Sequence, residues 1–417
     1  MKETTAHSLG TLRAAFADAH LIYLQAGVGE PLAMRQLLSL APELLDGRRI
    51  TACLLPGMNE FDYAALNATV RVESFMLPAG SRNTFEAGRC EIRPLPYSEI
   101  ATYLQLAPPP DLAILQVAPA DADGLCSLGP CADFAPLVWP RAGRRLGVIN
   151  PLLPRSRRGP AVPLAALDYR IEVSGPFITA EADAEDPVLA SIGGLIAGLI
   201  PDGAAIQSGI GGAPAAAVGA LGGHRGLRVR SGMVTPAYQG LADGGALDER
   251  ADHVTGMALG PVAFSQWAAD YFVFADARTT HGADALAATP GLHTINSALE
   301  VDLFGQANLE WRGGRLFSGL GGAPDFARAA RRSAGGRAIL ALPASGRRAG
   351  ASRIVSRLET PTVSLPRDDT DTVVTEHGIA HLRGLGQDAR AERLIAIADP
   401  DRREGLQAAW ERIRRGL

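Results

Sequence analysis

The sequence predicts an α/β protein made of two similar open domains, each with a mostly parallel sheet covered by helices. Short apolar runs of strand character alternate with Ala- and Leu-rich helical stretches along the whole chain. A strand, a glycine turn and a helix start recur as a unit in each half. At 417 residues the chain also exceeds one ordinary hydrophobic core.

The first unit reads as a strand from Leu21 to Gln25, a turn at Gly27 to Gly29, and a helix beginning between Pro31 and Leu38. The second reads as a strand from Ala204 to Gln207, a turn from Gly209 to Gly212, and a helix from Pro214 to Leu221. Gly27 and Gly209 lie nearly half the chain apart, as an internal duplication would place them. Further strands are expected at Arg49 to Leu55, Leu112 to Val117, Leu146 to Ile149, Tyr271 to Ala275, Ala338 to Leu342 and Thr372 to Thr375. The polar, breaker-rich stretch from Pro154 to Pro160 opens the boundary region, which divides the chain into domains 1–180 and 181–417. An amphipathic finish from Ala389 to Arg415, interrupted at Pro400, reads as two outer helices.

Composition narrows the function. Hydrophobic residues at 47% and charged residues at 20% suit a globular chain. A net charge of −4 leaves no basic excess to neutralise phosphates, so nucleic acid is not an expected partner. Lys2 is the only lysine, which excludes a buried Schiff-base lysine. The four cysteines, Cys53, Cys90, Cys126 and Cys131, form no CxxC pair and have no metal-site spacing with histidine. They read as buried small hydrophobes in a reducing cell. The polar start from Met1 to Gly10 lacks a signal-peptide core, and no run approaches the ~18 apolar residues of a membrane span. A cytoplasmic location, with no membrane, metal or permanently bound cofactor, is the expectation.

Glycine turns between strand and helix let a ligand approach the backbone and aim free N–H groups at an anion. The third such turn, Ser318 to Gly322, leads through Ala323 to Phe326 into a helix expected at Ala327. No GxGxxG with a partner acid and no GxxxxGK[ST] is present, which argues against dinucleotide and P-loop sites.

Several segments resemble the acetyl-CoA hydrolase/CoA-transferase family, which includes the 4-hydroxybutyrate and succinyl-CoA:acetate CoA-transferases. They are Pro119 to Gly129, Ile206 to Pro214, Asn296 to Gln306, Ser318 to Phe326, Ser352 to Ile354 and Val373 to Gly384, in family order over nearly the whole chain. The resemblance implies two open α/β domains of the CoA-transferase type with the active site in the cleft between them, coenzyme A or acyl-CoA as substrate, and a homodimer. It implies that Gly209, Gly211, Gly212, Gly319, Gly321 and Gly322 contact the CoA ester. In the family a glutamate attacks the thioester, forms an acyl-glutamyl anhydride and then a glutamyl-CoA thioester that an acceptor opens. The glycine-turn N–H groups stabilise the oxyanions.

Three positions depart from that pattern. The glutamate belongs to a Ser-Glu-Met segment after the second turn, and the matching stretch is Arg230-Ser231-Gly232-Met233, so Gly232 holds the nucleophile's place. The family's orienting asparagine lies 15 residues before the Asn296 position, which gives His281. After the double glycine of the third turn the family often has glutamine, and this chain has Ala323.

A glycine cannot form the anhydride. His281 is therefore read either as a general base for water or another acceptor, or as a residue that merely fills the vacated space or lies on a mobile loop. Glu376 matches a position near the family's acyl pocket and is the remaining candidate carboxylate, unless it is a helix-start residue or pairs with Arg383. Glu300 and Asp302 read as solvated strand residues, and Asp325 as a helix cap. Two functions stand. One is thioester hydrolysis or acyl/CoA transfer to a carboxylate, thiol or amine without a glutamyl intermediate; the other is a non-catalytic CoA-ester-binding protein or degenerate partner subunit.

Overall fold

The computed structural model describes residues 2–181, 186–346 and 352–416. The chain divides into two compact units: Met1–Glu181 with Val254–Thr280 and Phe317–Gly319, and Ala182–His253 with His281–Leu316 and Leu320–Leu417.

The first unit begins with the helix Lys2–Phe16 and β1 (Leu21–Leu24). There follow β2 (Arg49–Thr51), β3 (Arg71–Ser74), β4 (Cys90–Ile92), β5 (Leu112–Val117), β6 (Leu125–Ser127), β7 (Arg144–Ile149), β8 (Ala161–Pro163) and β9 (Tyr169–Glu172). Seven of them form a parallel sheet ordered β4-β3-β2-β1-β5-β7-β9, and β6 pairs with β8 in a separate antiparallel ribbon. Every residue of β5 is buried, as expected of a central parallel strand covered on both faces. Leu24, Ile50, Val72, Ile114 and Val148 join the core beneath the helices. Strand order reverses between β1 and β5, the switch point at which open α/β sheets leave a crevice.

The second unit starts with the helix Pro187–Ala197, capped by Asp186, and then β10 (Ala205–Ser208) and β11 (Arg228–Val234). The next strands, β12 (Val254–Ala258) and β13 (Val273–Phe274), count with the first unit. They are followed by β14 (Leu292–Ser297), β15 (Glu300–Asp302), β16 (Ala307–Asn308), β17 (Trp311–Arg312), β18 (Arg315–Leu316), β19 (Arg337–Ala341), β20 (Ile354–Val355), β21 (Thr372–Thr375) and β22 (Gly378–His381). Within the second unit the main sheet runs β11-β10-β14-β19-β21-β22, parallel except for the last strand. The chain is thus α/β with large parallel sheets. No helix of the described residues is long and apolar enough to cross a membrane.

Local chemistry moves several boundaries from their expected places. The strand expected from Tyr271 to Ala275 shrinks to Val273–Phe274; Tyr271 ends the helix Val262–Tyr271, where it stacks on Trp267 one helical turn earlier, ring centroids 4.6 Å apart. The helix expected at Ala327 begins at Ala323, with Pro324 in its first turn, where a missing N–H is harmless. The strand from Arg49 ends at Thr51, short of Leu55. At the C-terminus two helices form, Gln387–Ala396 and Arg403–Arg414, separated by a turn containing Pro400.

Arg390 ties the first of these helices to the second unit's core. Its buried guanidinium donates to the carbonyls of Phe304, Leu382 and Arg367. Arg390→Met leaves those oxygens without their donor. We expect a loss of roughly 1–3 kcal/mol, seen as a drop of about 2–10 °C in melting temperature.

Candidate active site

Gly232 lies within β11, where inward and outward residues alternate. Its neighbour Ser231 points inward, with Oγ 3.2 Å from Ser208 O and 2.7 Å from Met233 O. Tyr238 donates to Ser208 Oγ at 2.9 Å. The C-terminal ends of β10 and β11 are thereby locked together.

His281 closes the short helix Ala277–His281 and is 4% exposed. A Cβ on Gly232 would lie 2.6 Å from its Cε1 and 2.7 Å from its Nε2. A Cβ on Gly322 would lie 2.6 Å from both its Cδ2 and its Nε2. The imidazole therefore occupies space that a side chain at either position would need, and Phe326 packs against it at 4.8 Å between ring centroids. Burial holds its pKa down at about 3, so the ring is neutral near pH 7.

The second glycine turn sits beside this group. Gly211 has φ +130°, a conformation that favours glycine, and opens the helix Gly212–Gly219. Gln207 of β10 and Asn296 of β14 exchange hydrogen bonds, Nε2 to Oδ1 at 3.3 Å and Nδ2 to Oε1 at 3.2 Å. Asn296 Oδ1 lies 2.6 Å from where a Cβ on Gly209 would sit, so the turn is held by an amide pair that requires glycine there. Gly212 makes room for Leu189. In the third turn, Gly321 has φ +61° and Gly322 meets His281. Gly319 is packed against the backbone of Phe75 in the first unit.

The first glycine turn is held by a buried network. Asn59 accepts from Gly27 N at 3.0 Å and donates to Gly27 O at 3.0 Å and to Glu30 at 2.7 Å. Glu30, fully buried, also receives the Tyr63 hydroxyl at 2.6 Å and pairs with Arg35. A buried carboxylate with this many donors is a framing element of the turn.

Of the residues marked in the sequence, the fold thus joins Gly232, His281 and Gly322. Glu376 stands apart from them: its Oε2 accepts from Ala344 N–H at 2.8 Å, and its Oε1 lies 3.9 Å from His377 Nε2. Arg383 instead lies 3.9 Å from Asp371. Asp302, expected to be solvated, is fully buried and accepts from Phe304 N and Gln306 N, while Glu300 receives Asn308 at 2.9 Å. Asp325 lies inside the first turn of its helix, not at the cap position held by Gly322. The Gln207–Asn296 pair escaped sequence reading, although both residues fall in segments singled out there. No spacing rule connects residues on neighbouring strands so far apart in sequence.

Comparison with known proteins places this geometry. Residues 265–410 match the family model for the acetyl-CoA hydrolase/transferase C-terminal domain. The succinyl-CoA:acetate/propanoyl-CoA:succinate CoA transferase of Fasciola hepatica is 31% identical over 365 residues, covering 82% of this chain and 75% of that one. The chain belongs to the acetyl-CoA hydrolase/CoA-transferase family. A second family member, the 4-hydroxybutyrate coenzyme A transferase of Clostridium kluyveri, is 28% identical over 396 residues and 92% of each chain. Among solved structures, RipA from Yersinia pestis shares the fold with a TM-score of 0.90, 26% identity and 97% coverage of both chains.

The packing of His281 makes two expectations. Gly232→Glu alone must displace the imidazole, and should lower stability by about 1–3 kcal/mol. Adding His281→Asn should recover most of that loss, a non-additivity visible in denaturant titrations of the two single variants and the double. The second concerns acid. An unfolded histidine takes up its proton near pH 6.5, the folded one only near pH 3. The unfolded state binds the extra proton between these values, so the stability associated with neutral His281 is present above pH 6.5 and is lost as the pH falls toward 3. His281→Asn should therefore lose less stability between pH 7 and pH 4 than the parent, as measured by denaturant titration at each pH.

Proposed function

We propose that this chain binds acyl-CoA thioesters and opens them by direct attack of water or another acceptor on the thioester carbonyl, without a glutamyl-CoA intermediate. The observation that carries this reading is the imidazole of His281 packed over Gly232, in the space that a nucleophilic side chain there would occupy. Family membership supports acyl-CoA as the ligand. The glycine turns at Gly209 to Gly212 and Gly319 to Gly322 are the groups assigned to the CoA ester and to the oxyanion that develops on its carbonyl. Thioesters are activated, so positioning plus oxyanion stabilisation suffices for attack by water, a carboxylate, a thiol or an amine.

His281 is assigned the role of filling and shaping this space. Its neutral, desolvated ring is a far weaker base than an exposed histidine, which argues against general-base catalysis. Glu376 is assigned a structural role, since its carboxylate is engaged by the Ala344 N–H. The same burial of His281 favours a second reading, a family member that binds CoA esters without turning them over. A homodimer is proposed from the family resemblance.

Free-thiol release from several acyl-CoAs, with and without acetate, tests the proposal alongside mass spectrometry of the protein. Thiol release with no CoA adduct is the expected result, and His281→Asn should alter the rate modestly, not abolish it. Calorimetric binding of an acyl-CoA without thiol release would establish the second reading. A CoA adduct on any carboxylate would overturn the direct route.

A further inference from the structure

The second unit contains a cavity of about 400 Å³, and none of the described residues that line it belongs to the candidate active site. Small-molecule sites fall in the range of roughly 300–1,000 Å³. Three pieces of chain wall it: the start of β15, the strand β20 with its flanking residues, and the first turn of the helix Arg403–Arg414. The small sheet runs β16-β15-β20, so β20 is an edge strand and that side of it is left open. Ile354 and Leu406, both buried in the second unit's core, give the cavity an apolar base.

Four charged side chains line the same concavity, two of each sign: Arg357 and Arg402, Glu300 and Glu359. Glu300 is half-buried, and Asn308 donates to its Oε2 at 2.9 Å, which fixes the carboxylate and leaves the second oxygen over. Arg402 shares its charge with Asp399. The side chains of Arg357 and Glu359 make no hydrogen bond or ion pair among the described residues, with each other or with a neighbour. Single exposed charges are ordinarily just solvated. Both signs converging on buried apolar surface is the composition of a binding site.

Gly405 adds a second observation. It is the third residue of the helix Arg403–Arg414, where glycine is a poorer choice than alanine. A Cβ built on it would meet nothing within 4 Å, so no neighbour requires the missing side chain. Its effect is to keep the helix wall of the cavity bare.

These charges select among ligands. A simple anion drawn to the arginines meets the carboxylates, and a simple cation drawn to the carboxylates meets the arginines. A small molecule that carries both charges beside an apolar group suits all of the lining. We propose that this cavity binds a free α-amino acid with a large apolar side chain, the Arg357 guanidinium holding its carboxylate, Glu300 its ammonium, and Ile354 and Leu406 its side chain. A guanidinium grips a carboxylate with two parallel hydrogen bonds, and Arg357 has its donors uncommitted within the described residues. The site stands apart from the acyl-CoA reading, and failure of acyl-CoA binding leaves it to be judged separately.

Calorimetric titration of the full chain with L-leucine and L-phenylalanine tests the assignment, each beside its amide, which lacks the carboxylate, and its N-acetyl derivative, which lacks the ammonium. At least one of the two amino acids should bind, and removing either charge from it should weaken binding about tenfold or more. Arg357→Gln should cost about the same factor, as should Glu300→Gln, which keeps an oxygen for Asn308. Gly405→Phe places a ring in the open space and should abolish binding. Binding of neither amino acid, affinities equal to those of the amide or the N-acetyl derivative, or undiminished binding by Gly405→Phe would overturn the proposal. Should Gly405→Phe not fold by circular dichroism, the comparison of each amino acid with its two derivatives decides.

Discussion

The imidazole of His281, lodged where Gly232 and Gly322 both lack a side chain, is the contact on which the candidate site depends. Three residues far apart in sequence are coupled through one volume. A side chain at either glycine is incompatible with the ring in its present place, and a smaller residue at 281 would leave a void between them. The missing side chain at Gly232 thus leaves no empty space. Another side chain takes up the space, and burial keeps that side chain uncharged.

Around this contact the glycine turns are held by different means. In the second unit an amide pair, Gln207 with Asn296, spans neighbouring parallel strands and leaves Gly209 no room for a Cβ. In the first unit a buried acid, Glu30, works through Asn59 to fix both backbone groups of Gly27. Each device satisfies buried polar groups completely, as a low-dielectric interior demands.

Much of the fold was legible because its signals are local. The runs at Leu112–Val117 and Thr372–Thr375 are apolar and bounded by breakers, and they form strands with the expected limits. Errors arose where side chains one helical turn apart outweighed strand propensity, as with Tyr271 on Trp267, or where a proline favoured an earlier helix start, as at Ala323. Asp302 was misjudged because alternation along β15 shows which residues share a face but not whether the second face is also covered.

The sequence by itself determined the α/β class, the glycine turns, the family resemblance and the lack of a carboxylate at position 232, because each is carried by residue type and short-range spacing. The tertiary structure alone decided that His281 fills the space over Gly232 and that Glu376 is engaged by a backbone N–H. Those facts depend on which side chains from distant strands and loops meet, and on how far water is excluded there. Burial and three-dimensional proximity set charge state and available volume, and neither is encoded in the spacing of residues along a chain.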